Sequence, residues 1–113
     1  MLNIKNRLRK KKEFSYIYRK GEVLHSKYIT VYFVETRYKN VKVGISISNK
    51  IGNSVVRHKV KRRLSEIIRN RINLFPVCNY VFSVKSGIDS LSFDDLTIEV
   101  EGLINRLISK KAK

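Results

Sequence analysis

Lys50-Ile51-Gly52-Asn53-Ser54-Val55-Val56-Arg57-His58-Lys59-Val60-Lys61-Arg62-Arg63-Leu64-Ser65-Glu66-Ile67-Ile68-Arg69-Asn70-Arg71 combines a helical apolar repeat with a dense run of cations. Val56, Val60, Leu64, Ile67 and Ile68 recur at the three- and four-residue spacing that places them on one stripe of a helix. At about 100° per residue, Arg57 and Lys61 fall along one edge of that stripe and Lys59 and Arg63 along the other. His58, Arg62 and Arg69 point away from it. One side of the helix is therefore an anchor and the remainder is basic. The stretch holds eight Lys/Arg against a single acid, Glu66. A merely solvated helix mixes signs to gain pairs three and four residues apart. This one lacks the counter-charges and repels itself until a polyanion neutralises it.

The residues just ahead of the helix fit that reading. Gly52 and Asn53 turn easily, and Ser54 is the expected cap, its hydroxyl accepting a backbone N–H. A strand-turn-helix start follows, with free amide donors and the positive end of the macrodipole open to a phosphate. Alone, Gly52-Asn53-Ser54 is only a turn with a cap; the arginines beyond it favour the anion-binding version.

Composition bounds the rest. A chain of 113 residues is long enough for one domain with a modest core and short for two. Its 25 Lys/Arg against 9 Asp/Glu give a formal charge of +16, with a pI near 10.3. Such a balance points to a nucleic acid or an anionic membrane. No run approaches the length of about eighteen apolar residues that a spanning helix needs, and the basic N-terminus lacks an apolar signal core. A soluble, cytoplasmic, non-membrane protein is the expectation. Cys78, the only cysteine, sits in a strand-like apolar run and reads as a small buried hydrophobe. One Cys and two His, at 25 and 58, offer no metal-ligand spacing.

Along the chain, residues 3–12 carry six cations and no acid and read as an extended or partly ordered basic arm that gains order on binding. A short helix is expected over residues 13–20, with Phe14, Ile17 and Tyr18 on one face and Gly21 ending it. Residues 22–25 suggest a weak strand. Residues 28–35 alternate clearly, Ile29, Val31 and Phe33 against Tyr28, Thr30 and Tyr32. After a polar turn at residues 37–40, Val41, Val43, Ile45 and Ile47 alternate with Lys42, Gly44, Ser46 and Ser48. That small outer face beside Tyr32 leaves room for something flat, and bases of single-stranded RNA stack on aromatic rings. Gly44 equally suits a bulge, and Phe14 and Tyr18 equally suit a core. Phe75-Pro76 ends the basic helix segment, and residues 78–85 read as a further strand. Ser92 with Asp95 resembles a capping box, and Leu96, Val100, Leu103, Ile104 and Leu107 make a second helical stripe. Asp94, Asp95, Glu99 and Glu101 suit that helix's N-terminus and turn it away from any phosphate backbone. Ser109 to Lys113 read as a fraying basic tail.

The run from Lys50 to Arg62 resembles the signature helix of the protein subunit of bacterial ribonuclease P, whose pattern is Lys/Arg-x-Gly-x-Ala-Val/Met-x-Arg-Asn-Arg/Lys-x-Lys/Arg-Arg. Arg57, Lys59, Lys61 and Arg62 match it, as does Asn6-Arg7-Leu8 near the start. The chain departs from it at His58, where the family has Asn, and at Ser65, where it usually has Arg. The resemblance implies an α+β, single-domain α/β sandwich of about four strands and three helices, ribosomal protein S5 domain 2-like. It also implies a left-handed βαβ crossover through the basic helix, where general connection rules favour the right-handed one.

What the resemblance implies for function is the accessory subunit of an RNA enzyme, a ribonucleoprotein endonuclease that hydrolyses a phosphodiester to remove the 5′ leader of precursor tRNA. The catalytic groups and Mg²⁺ would belong to the RNA, with no cofactor bound by the protein alone. Lys50, Asn53, Ser54, Arg57, His58, Lys59, Lys61 and Arg62 would meet the catalytic RNA near the cleavage site. Phe14, Tyr18, Tyr32, Ser46 and Ser48 would line a leader cleft, and Arg7, Arg9, Lys10 and Lys11 would add basic contacts. The residues themselves agree that no enzyme site is present. Ser/His/Asp and Cys/His arrangements and a Walker-type loop are absent, and a lone His58 among cations stays neutral and binds passively. A ribosomal or other structural RNA-binding protein shares the charge and the α+β pattern. A DNA-reading helix would need a paired helix before it, where the chain instead alternates as a strand.

Overall fold

The computed structural model describes residues 2–36 and 39–111. Helix α1 spans Lys11–Lys20, strands β1, β2 and β3 span Glu22–His25, Ile29–Glu35 and Lys42–Ser46, helix α2 spans Ser54–Arg69, strand β4 spans Cys78–Val84 and helix α3 spans Phe93–Lys111. The four strands form one mixed sheet in the order β1-β2-β4-β3. β1 with β2 and β2 with β4 are antiparallel, while β3 and β4 are parallel and joined through α2. The expected α+β sandwich of four strands and three helices is the fold observed.

Alternation sorts the sheet into two faces. Ile29, Val31, Phe33, Val43, Tyr80, Phe82 and Val84 face one way and pack with the apolar stripes of α2 and α3 in a single core cluster. Val60, Leu64, Ile67 and Ile68 of α2 are buried, as are Leu96, Val100, Leu103, Ile104 and Leu107 of α3. Each such side chain contributes about 1.5–3 kcal/mol of transfer free energy, so the two stripes bind their helices firmly to the sheet. Cys78 is buried in this core, the place read for it. Tyr80 is wholly buried there too, and its hydroxyl donates to the Pro76 carbonyl at 2.5 Å. Burial pushes its pKa upward, which keeps the hydroxyl protonated and donating.

The other face is covered by α1. Ile17 is 1% exposed and clusters with Leu8 and Val81, flanked by Phe14, Tyr32 and Val34.

The N-terminal arm is more built than its charge suggests. Residues 4–6 make a 3-10 turn, and the buried Asn6 amide donates to the Val41 carbonyl at 2.7 Å. The Leu8 N–H donates to the Val43 carbonyl at 3.1 Å, Arg7 bridges to Val43 in parallel, and Leu2 and Leu8 are buried. Two apolar residues set among the cations seat the arm on the β3 edge. α1 also starts two residues earlier than its apolar spacing indicates, at Lys11, because Glu13 accepts the Lys10 N–H at 3.3 Å. At the other end α3 continues through Ser109 and Lys110, where a fraying tail was expected, and Lys110 pairs with Glu22 at 3.5 Å. Residues 37 and 38 of the expected polar turn, and 112 and 113 of the expected tail, lie outside the described residues.

Candidate nucleic-acid interface

The turn that launches α2 is assembled from short-range polar bonds. Ser48 Oγ accepts the Lys50 N–H at 3.3 Å and begins a 3-10 turn over Asn49–Ile51. Ile51 is buried and ties this turn to the core. The cap of α2 is Asn53 rather than Ser54: its Oδ1 accepts the Val56 N–H at 3.0 Å, and its carbonyl accepts the Arg57 N–H at 3.0 Å. Asn, one of the best cap residues, lies one position earlier and takes the role. Ser54 becomes the first helical residue, and its side chain joins the lining of a cleft beside Ile45, Ile47, Arg57, His58 and Lys61. The amides of Ser54 and Val55 stand at the helix start, where no intrahelical acceptor exists.

The cleft has a volume of about 380 Å³ and is floored by the partly exposed Ile45 and Ile47 at the end of β3. Arg57 reaches over it, one terminal nitrogen donating to Asn49 Oδ1 at 2.7 Å. Its Nε is buried without a partner, and an unsatisfied donor of that kind is costly until an acceptor arrives. Asn49 was not legible as a site residue: it lies eight positions before Arg57 and meets it only across the turn.

His58, Lys59, Lys61 and Arg62 are exposed. Among the described residues the ion pairs are Arg69 with Glu66 at 3.9 Å, Arg71 with Glu101 at 3.2 Å and Lys110 with Glu22 at 3.5 Å. None of them involves Lys50, Arg57, Lys59, Lys61, Arg62 or Arg63. The two edges read from the helical spacing are real. Arg57 and Lys61 line the β3 side, and Lys59 and Arg63 line a small cavity on the α3 side with Asp89 and Leu96. Ser65 is buried beside Leu2, Arg7, Leu8, Phe14 and Lys61, so this position faces the N-terminal arm and not solvent.

On the outer face of the sheet the strand register aligns Val23, Tyr32, Val81 and Gly44 in one row across the four strands. α1 lies across that row. Phe14 meets Gly44, Ile17 packs with Val81, and the Tyr18 ring stands edge-on to Tyr32 with centroids 4.8 Å apart. Tyr18 stays 40% exposed, which leaves ring surface for a ligand. The next row, His25, Thr30, Ser83 and Ser46, is polar, with Thr30 Oγ1 and His25 Nδ1 at 3.4 Å. Along β3 this row ends at Ser46, two residues before Ser48 and the turn that leads into α2. Gly44 marks no bulge, since the β3–β4 register passes through it unbroken. Phe14 is half-buried and engaged with that glycine. Arg7, Arg9 and Lys10 gather with Lys5 and Lys42 in a separate basic hollow at the other end of β3, while Lys11 is exposed at the start of α1.

Among the described residues no helix is long and apolar enough to cross a membrane. The family model described as Ribonuclease P matches residues 2–108. The chain is 33% identical over 106 residues to the ribonuclease P protein component of Citrifermentans bemidjiense, covering 94% of this chain and 91% of that one. It is 32% identical over 103 residues to the same component of Clostridium botulinum, covering 89% and 93%. Among solved structures, the RNase P protein of Thermotoga maritima superposes with a TM-score of 0.82 at 25% identity, covering 88% of this chain and 96% of that one. A mutant RNase P protein of Staphylococcus aureus shares the fold with a TM-score of 0.85 at 24% identity, covering 93% and 88%. A basic helix with unpaired cations, an aromatic-edged sheet face and this match along nearly its whole length make the chain a member of the bacterial ribonuclease P protein component family.

Proposed function

We propose that this protein is the RNA-binding subunit of ribonuclease P, holding the catalytic RNA and the 5′ leader of precursor tRNA while the RNA cleaves between leader and tRNA. One observation carries the reading: every α2 cation but Arg69 stands without an ion pair among the described residues, and the partly exposed Tyr18 ring against Tyr32 supports a leader face on the outer side of the sheet. A folded RNA would be met by Lys50, Arg57, Lys59, Lys61 and Arg62, whose charges displace its counterions. The free amides at the start of α2 would take a phosphate. Asn53 would act indirectly, by capping the helix, and His58 as a hydrogen-bonding group. Single-stranded leader would lie along Tyr18, Tyr32, Ser46 and Ser48, with bases on the exposed rings. Arg7, Arg9, Lys10 and Lys11 would add sequence-independent phosphate contacts.

The hydrolytic step belongs to the RNA in this reading. Among the described residues no group of three or more His, Cys, Asp or Glu side chains is placed to hold a metal ion. The Mg²⁺ ions would be held by RNA phosphates, and the protein's part is to lower the repulsion between substrate and ribozyme. Family membership favours this processing role over a purely structural RNA-binding one.

The test is the affinity of the catalytic RNA for precursor and for mature tRNA, with and without the protein. Tightening of precursor binding well beyond that of mature tRNA is the expected result. Equal effects on both remove the leader cleft from the proposal, and no effect on either removes the role altogether.

A further inference from the structure

Gly44 sits in the middle of an edge strand, a position where a glycine costs conformational entropy and supplies no packing. Its ladder is regular, with Val43 opposite Tyr80, Gly44 opposite Val81 and Ile45 opposite Phe82, so the backbone does not require it. The side-chain space does. A Cβ at position 44 would lie 2.3 Å from Phe14 Cζ, 2.6 Å from Phe14 Cε2 and 3.2 Å from Leu8 Cβ. The two tightest contacts are with the far end of a ring that can swing about its own torsions. A side chain here would therefore move Phe14 before it moved the strand. An aromatic ring laid over a strand glycine recovers the packing that the glycine forgoes.

We propose that Gly44 is a positioning residue: by lacking a side chain it seats the Phe14 ring, and the seated ring sets one wall of the outer-face cleft for single-stranded RNA. The helix carrying the ring cannot adjust in its place. Ile17 is 1% exposed against Val81, and Tyr18 is packed edge-on to Tyr32, so α1 is held at its middle and the Phe14 torsions must absorb any clash. A displaced ring either projects over the sheet face, where RNA would lie, or turns into the cavity of about 100 Å³ that it lines with Arg7, Lys61 and Ser65. Both change the wall. This seat bears on function only if the outer face holds the leader, as proposed for the site.

The experiment uses four reconstituted holoenzymes: the unchanged chain, Gly44→Ala, Phe14→Ala and the double variant. Their dissociation constants are measured for precursor tRNA with a single-stranded 5′ leader and for mature tRNA. Phe14→Ala weakens precursor binding by about 5- to 150-fold, the span of one lost base stack, and leaves mature tRNA binding unchanged. Gly44→Ala weakens precursor binding by a comparable factor, and the double variant binds no worse than Phe14→Ala alone. Factors that multiply in the double variant overturn the proposal, as does a Gly44→Ala holoenzyme that binds like the parent while Phe14→Ala does not. A Phe14→Ala holoenzyme that still separates precursor from mature tRNA as well as the parent defeats the leader role of Phe14 itself, and the positioning role with it. Thermal unfolding of the four free chains covers the remaining case. If Gly44→Ala alone fails to fold, the double variant regains structure because the clashing ring is gone, whereas a double variant that stays unfolded places the demand on the backbone and overturns the proposal.

Discussion

Helices α2 and α3 pack on the same face of the sheet through stripes of the same kind, yet they treat charge in opposite ways. Ser54–Arg69 carries six Lys/Arg and one Glu, and the six include no pair except Arg69 with Glu66. Phe93–Lys111 carries four acids, and two of them are tied into the fold. Glu99 Oε1 accepts the Ser26 hydroxyl at 2.5 Å and the Tyr28 N–H at 3.3 Å, and Glu101 pairs with Arg71 at 3.2 Å. Net charge is thus not spread evenly over the molecule: α3 ties two of its four acids to neighbouring elements, whereas five of the six α2 cations have no ion pair among the described residues. Anchoring of the same kind with unequal pairing separates what holds the fold from what is proposed to bind.

The comparison is sharpest where the two helices should behave alike. Leu64→Ala in α2 and Leu103→Ala in α3 each destabilise the fold by about 2–5 kcal/mol, read from denaturant midpoints, because both side chains are essentially inaccessible. A difference far outside that range would mean the stripes are not equivalent anchors. The charges should then part company. Glu99→Ala costs about 1–3 kcal/mol, as expected for lost hydrogen bonds to a charged group, and leaves RNA affinity unchanged once folding is accounted for. A drop in affinity at equal folded fraction would place α3 in the interface.

Arg62→Ala does the reverse. It leaves the unfolding midpoint alone and lowers the slope of log affinity against log salt by about one, measured by titrating the catalytic RNA at several salt concentrations. An unchanged slope would make Arg62 a solvated bystander. The smallest effect is a gain. Gly102 is inside α3, exposed, and a Cβ there meets nothing within 4 Å, so Gly102→Ala raises stability by about 0.5–1 kcal/mol. A loss of stability would show that this helix face is constrained in a way its open surroundings do not suggest.

Much of the architecture is legible in the residues. Both helical stripes bury one side, and the alternation at residues 29–33 and 43–47 turns Ile29, Val31, Phe33, Val43, Ile45 and Ile47 toward the core under α2 and α3; an apolar side held toward one core is what makes a period visible. The two basic edges of α2 follow from the same geometry. The cap lies one residue before the expected Ser54 because Asn53 and Ser54 can both accept backbone N–H groups and nothing local chooses between them. The seat of the partly ordered arm is not legible because its charge masks Leu2 and Leu8, whose burial depends on a partner strand more than thirty residues away.

By itself the sequence determined the element order, the faces of α2 and α3, and the excess of cations that demands an anionic partner, because period and charge are properties of neighbouring residues. Only the tertiary structure decided that Asn49 holds Arg57, that Tyr18 and Tyr32 touch while Phe14 fills the space over Gly44, and that every α2 cation but Arg69 goes without an ion pair among the described residues. Those facts depend on contacts between residues far apart in the chain, and such contacts exist only once strand register and helix crossing bring the two sides within reach.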